Sequence, residues 1–132
     1  MKIELHFQNL KESLTMIEEC VERGLTERQR TLGFHTSAAC ADLLEILFHR
    51  LNLIDPSLVI KHEWLKSPRS LREKFPFDFT HKQEIFLLIV KIEERRNALC
   101  YGKPQQETVL QEVVQDFQTV QKLFKEAGIN EL

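Results

Sequence analysis

Apolar side chains recur along this chain at steps of three and four, the period of an amphipathic helix, with no strand-and-hairpin rhythm between them. Leu10, Leu14, Ile17 and Val21 mark one face of a first helix. Asn9 and Glu12, at capping-box spacing, start it near Asn9, and Gly24 is placed to stop it. Ahead of it, Ile3, Leu5 and Phe7 alternate with polar residues, and that segment reads either as helix or as a short extended arm. A second helix is expected from Thr26, with Gln29 three residues on, to about Asn52, before Pro56. Its middle, Thr36 to Ala41, is a run of small residues, over which a neighbouring helix approaches closely. Leu43, Leu44, Ile46, Leu47, Phe48 and Leu51 then cover much of its circumference, the mark of a central helix buried on more than one side.

Pro56, Pro68 and Pro76 break the next stretch and leave room for one short helix around Ser70 to Lys74. A fourth helix is expected from Thr80, with Gln83 at the capping-box position, to about Cys100, ended by Gly102. A fifth follows Pro104, a residue favoured in first turns, with Leu110, Val113, Val114, Phe117, Val120 and Phe124 as its stripe up to Gly128. Five helices, four of them long, predict an all-α, up-and-down bundle.

Composition narrows this picture. A chain of 132 residues, 42% hydrophobic and 29% charged, suits a single domain over residues 1–132 with one core. No apolar stretch is long enough to span a bilayer, and charges throughout MKIELHFQNLKE argue against a secretory leader, so no membrane association is expected. Cys20, Cys40 and Cys100 are three, widely spaced and without a C-x-x-C pair. They read as small buried hydrophobes in a reducing compartment, with the cytoplasm as the expected location. A net charge of -2 gives no global attraction to nucleic acid, so any such contact needs a local basic patch. The Asp55–Phe79 region supplies a candidate: Lys61, His62, Lys66, Arg69, Arg72 and Lys74 surround Trp64 and adjoin Phe75. Charge beside a stacking surface suits single-stranded RNA, and equally suits a solvated segment whose aromatics plug the bundle.

No phosphate-binding glycine loop, dinucleotide fingerprint or H-E-x-x-H occurs, and no cofactor is expected. His35, Asp42 and His49 share a face at seven-residue steps, about 10 Å apart along the axis, too far to ligate one metal. Cys100 has no sequence-evident histidine base. The informative anomaly is Arg96. On a helical wheel with Ile85 at zero, Leu88, Ile89, Ile92 and Leu99 fall within about 60°, and Arg96 falls at about 20°, inside the apolar stripe. An arginine there must snorkel, which is easier within about two turns of Gly102, pair with a carboxylate, for which Glu45, Glu93 and Asp42 are candidates, or face a cleft or a partner surface.

The run Glu94-Arg95-Arg96-Asn97-Ala98-Leu99-Cys100-Tyr101 resembles the signature of the HEPN (higher eukaryotes and prokaryotes nucleotide-binding) family. There an arginine, often followed by a polar residue, precedes a histidine by four to six residues near the end of a late helix in an all-α bundle. The helix order, the small-residue central helix and the basic stretch before the motif resemble the family too, so the likeness covers most of the chain. The resemblance implies a homodimer whose two motifs face one cleft, and metal-independent ribonuclease chemistry. Arg96 would hold phosphate and Asn97 would orient it or its neighbour. The histidine position is Tyr101, a departure from the pattern. A phenol, which ordinarily titrates near pH ~10, is a poor base at neutrality, although it can donate a hydrogen bond or stack on a base. On an ideal helix Arg96 and Tyr101 also point about 140° apart, so they share a pocket only if the helix loosens or a second subunit completes the site.

The expected function is accordingly a catalytically degenerate, RNA- or nucleotide-associated module, with Arg95, Lys103, Lys61, Lys66, Arg69 and Arg72 as its nucleic-acid-binding surface. By resemblance its partner would be a nucleotidyltransferase-like protein in a toxin–antitoxin or defence pair. The rival readings are a weak metal-independent endoribonuclease using Arg96, and a structural homodimerisation domain. His62 or His81, if either approached Tyr101, would restore part of the missing acid–base capacity.

Overall fold

The computed structural model describes residues 2–131, and all regular structure among them is helical. Helix α1 spans Ile3–Arg23, α2 Gln29–Arg50, α3 Pro68–Lys74, α4 Lys82–Tyr101 and α5 Glu107–Ala127, with single 3-10 turns at Thr26–Arg28 and His62–Lys66. Helix α2 lies at the centre, packed against α1, α4 and α5, and it buries residues around its whole circumference, from Leu32 to Phe48. This is the predicted all-α bundle with its predicted central helix.

The helix starts differ from the sequence expectation. The chain is helical from Ile3, and Asn9 and Glu12 are exposed positions inside α1 rather than its cap. Tertiary contact overrides the local signal, because His6 lies on the buried face with Leu10, Ser13 and Ile17, while Leu5 faces solvent. Val21, expected in that stripe, is exposed at the edge of a groove between α1 and α5.

Thr26 opens the 3-10 turn without a side-chain cap. Gln29 is no cap partner either. It is buried, donates from Nε2 to the Leu99 and Lys103 carbonyls at 3.3 and 3.2 Å, and accepts the Gln105 N–H at 2.7 Å. That clamp fixes the α4–α5 connection to the start of α2. Thr80 and Gln83 likewise form no capping box, since α4 begins at Lys82 behind His81, which takes φ 61°. Helix α5 starts after Pro104 as expected, three residues beyond it. Only α3 has the predicted kind of start, Ser67 Oγ accepting the Ser70 N–H at 3.0 Å with Pro68 at the first helical position.

Helices α2 and α4 pack closely at Gly33, where a Cβ would lie 2.6 Å from Leu99 Cβ. Downstream of α2, Phe48, Phe75, Phe77, Phe79 and Phe86 form a continuous aromatic cluster, with ring centroids 4.9–5.6 Å apart around Phe48 and between Phe79 and Phe86. This cluster pins the proline-broken connector onto the bundle. Trp64 joins its edge, 6.2 Å from Phe75, with Lys74 Nζ 4.8 Å from its ring. The aromatics of the basic stretch therefore serve as packing, and Trp64 is half-buried.

Candidate functional site

Two polar clusters lie on α2, and they have different characters. The first is closed. His6 Nδ1 is 2.8 Å from Asp42 Oδ1, and its Nε2 contacts Glu45 Oε2. Glu45 Oε1 accepts the Ile60 N–H at 2.6 Å, and His49 Nε2 lies 3.8 Å from Glu45 Oε2. Burial pushes the Asp42 carboxyl above its ordinary range, although the hydrogen bond and charge of His6 work against that. The seven-residue series His35, Asp42, His49 thus faces α1, with His35 Nδ1 3.1 Å from Ser13 Oγ. Among the described residues no group of three histidine, cysteine, aspartate or glutamate side chains is arranged to hold a metal ion.

The second cluster opens to solvent. The 3-10 turn His62–Lys66 lies against α4, and between them is a cleft of about 300 Å³ lined by His62, Glu63, Lys66, Glu93, Glu94, Arg96 and Asn97. Its floor is set by sequence position. Ser37, in the small-residue run of α2, is fully buried, and its hydroxyl donates to Glu93 Oε2 at 2.5 Å. His62 Nδ1 sits 3.2 Å from Ser37 Oγ and 3.4 Å from Glu93 Oε2. The turn that carries His62 is held on both sides, by the Ile60 N–H bond to Glu45 and by fully buried Leu65. Burial opposes a charge on Glu93, but the hydrogen bonds from His62 and Ser37, with the charges of His62 and Arg96, outweigh it. Together they hold the carboxyl below its usual range. Glu93 therefore stays ionised and committed to Ser37 and His62.

Arg96 is half-buried on the cleft wall, and no carboxylate among the described residues forms an ion pair with it. Asp42 and Glu45, two of its expected partners, are taken by His6, and Glu93 is taken by Ser37 and His62. Asn97 is exposed beside Arg96 on the same cleft.

Tyr101 is elsewhere. It is 73% exposed, lies under the Arg30 guanidinium at 5.7 Å, and lines a separate hollow with Phe34, His35 and Cys100. Helix α4 stays regular to Tyr101, so the wide angular separation from Arg96 is kept within one chain.

Of the expected nucleic-acid-binding residues, only Lys66 lines the Arg96 cleft. Arg95 turns to α5 and pairs with Glu112 at 3.2 Å. Arg69 pairs with Glu73 at 3.0 Å on α3, where Arg72 is exposed. Lys61 and Lys103 are exposed, with the Lys103 carbonyl held by Gln29. The basic residues do not form one patch around Arg96.

Sequence reasoning missed Ser37, which reads as a packing residue, and it did not connect Glu93 with His62. The available signal was a carboxylate one turn before Arg96 and a histidine in a connector that the prolines fold back onto the bundle. His81 sits at the far end of α4 with Glu84 and Glu126, and neither it nor His62 reaches the Tyr101 hollow. No family model, curated protein or solved structure matches this chain.

Proposed function

We propose that this chain is a HEPN-like module that holds a phosphate group of RNA or of a nucleotide in the cleft between the His62–Lys66 turn and α4. The observation that supports the reading is Arg96, a guanidinium on the wall of an open cleft with which no carboxylate among the described residues forms an ion pair. A partly desolvated arginine in that position favours a planar oxyanion, which it binds through two parallel N–H bonds. Lys66 adds a point charge and Asn97 a neutral donor. Glu63, Glu93 and Glu94 also line the cleft and outnumber its two cations, so affinity is expected to be weak and to depend on the local geometry at Arg96. The motif ring position, Tyr101, lies in another hollow, which favours a module degenerate at the family's usual acid–base position.

Binding of a fluorescent single-stranded RNA and of a mononucleotide, compared between wild type and Arg96→Ala at two salt concentrations, tests this. The proposal expects Arg96→Ala to weaken binding by about ten-fold or more, the scale of a lost charged hydrogen bond. Equal binding by both proteins would refute it. A homodimer in which two clefts adjoin, and a nucleotidyltransferase-like partner, belong to the same proposal. The first is checked by sedimentation of the purified chain.

A weak metal-independent endoribonuclease is the second reading. It is favoured by one observation, the presence of a histidine in the Arg96 cleft itself.

A further inference from the structure

Helices α1 and α5 both pack on α2 and scarcely touch each other. They are antiparallel, since Val21 and Gly24 at the end of α1 share a hollow with Glu107 and Gln111 at the start of α5. That hollow, of about 340 Å³, runs into a second of about 650 Å³ through Val21, Val114 and Gln118, which line both. The two make one open groove from Lys11 to Gly24, about 20 Å long at about 1.5 Å per residue. The apolar stripe of α1 is wider than α2 covers. Leu10 and Ile17 are buried, whereas Leu14 is half-buried and Val21 is 51% exposed. Leu14 and Val21 give the groove an aliphatic wall, which Val114 and Phe117 continue on α5. A strip of that length between two helices has the shape of a seat for a third, whose anchors recur at i, i+3 or i+4, and i+7.

Charge decides which kind of helix fits. Glu18 and Glu22 on α1 and Glu107 on α5 are exposed along the groove, against a single cation, Lys11. The ion pair on this stretch of α1 joins Glu19 to Arg23 and engages none of the three groove carboxylates. A second copy of the chain is a poor match. Two such grooves are both concave, and each would bring three carboxylates and one lysine to the same interface. The exposed cations Lys61, Lys66, Arg69 and Arg72 sit on a connector and on the seven-residue α3, too short to fill four turns. We propose that the α1–α5 groove docks a cationic amphipathic helix of a partner protein, about four turns long. Its aliphatic stripe lies on Leu14, Val21 and Val114, and its flanking Lys or Arg side chains face Glu18, Glu22 and Glu107. Exposed amides of Gln111, Gln115 and Gln118 offer donors and acceptors to the same flanks. No residue lines both this groove and the Arg96 cleft, so helix docking and phosphate binding are separable.

The probe is a fluorescein-labelled peptide of about four turns, with leucines at the anchor positions and lysines on both flanks. A second peptide carries glutamates in place of the lysines. Anisotropy with the full chain reads binding, and circular dichroism reads the helicity the peptide gains. Wild type is compared with Val21→Arg, in the groove, and with Leu87→Arg, at a 59% exposed position of α4 outside it. Both variants add the same charge at a solvent-facing site, and each is checked for helicity. The lysine peptide should become helical and bind wild type and Leu87→Arg with Kd below about 1 mM. Val21→Arg should weaken that binding by about ten-fold or more. The glutamate peptide should bind wild type more weakly than the lysine peptide, and the double variant Glu18→Lys with Glu22→Lys should reverse that preference. No binding of the lysine peptide, or equal binding by Val21→Arg and Leu87→Arg, would overturn docking at the groove. Equal binding of the two peptides by wild type would overturn the cationic partner. Sedimentation covers the remaining occupant: a wild-type dimer that Val21→Arg dissociates and Leu87→Arg does not would give the groove to a second copy and overturn the assignment.

Discussion

His6→Leu isolates the closed cluster on α2. Leucine is close to histidine in volume, so the substitution keeps the packing of a position that is 4% exposed and removes only the polar partner. What remains is Glu45, 2% exposed, with a hydrogen bond from the Ile60 N–H and with His49 Nε2 3.8 Å away, and Asp42, whose burial already disfavours its charge. Removing one member of a buried ionic cluster costs about 3–5 kcal/mol, because the partner's charge is left without compensation. Asp42 retains some access to water, and Glu45 retains the Ile60 N–H, which places the expectation at the lower end, about 3 kcal/mol. With a urea dependence of about 2 kcal/mol per molar, the unfolding midpoint at pH 7 should fall by about 1.5 M. Urea titration followed by circular dichroism reads this directly. The double variant His6→Leu with Glu45→Gln, which neutralises the stranded carboxylate, should be more stable than the sum of the two single effects by at least about 1 kcal/mol. A His6→Leu midpoint within about 0.5 M of wild type, which at that slope is about 1 kcal/mol, would show that the cluster carries little net stability.

Three further outcomes are expected. Gly33→Ala should destabilise the fold by about 1–3 kcal/mol in the same titration, because its Cβ would meet Leu99 Cβ at 2.6 Å and the helix axes would have to separate. The three cysteines should resist alkylation at pH 8 in native protein and react together on unfolding, since all are buried and burial pushes each thiol upward. Cys100, the least covered, should label first, and rapid native labelling of Cys40 would contradict the packing. Acid titration should separate the two clusters. Glu93 is held below its usual range, so its contribution to stability is present above the ordinary carboxylate value and is lost as pH falls through its folded value. Asp42 is raised, so its contribution has the opposite sign and is lost as pH rises through its folded value. Between pH 5 and 3, Glu93→Gln should therefore flatten the fall in the urea midpoint, and Asp42→Asn should steepen it. Unchanged slopes in both variants would remove the basis for assigning charge states here.

The bundle was legible because its signals are periodic. The stripe of α5, from Leu110 to Phe124, is buried as the spacing requires, and the α2 run from Leu43 to Phe48 wraps a central helix. Helix starts were less legible because Asn9–Glu12, Thr26–Gln29 and Thr80–Gln83 have capping spacing yet compete with tertiary contacts that the spacing does not encode. His6 drew α1 outward by two turns, and Gln29 found better partners across the bundle. The site was half legible. Arg96 stood out from its stripe as a charge in an apolar run, a feature of one helix. The cluster of Ser37, His62 and Glu93 joins three elements, with Ser37 and Glu93 56 positions apart, and no local pattern announces it.

The single carboxylate of Glu45 has a consequence for the order in which the molecule becomes competent. One of its oxygens meets His6 in the first turn of α1 and the other holds the backbone at Ile60, two residues before His62. The beginning of the chain and the loop that furnishes the cleft are thereby fastened to the same rivet. A nascent chain cannot neutralise that carboxylate until both have arrived, and a protein that loses its first turns frees one side of the joint while the other still bears on the His62 turn. Trimming at the amino end would then be felt first in the cleft, before the bundle itself comes apart.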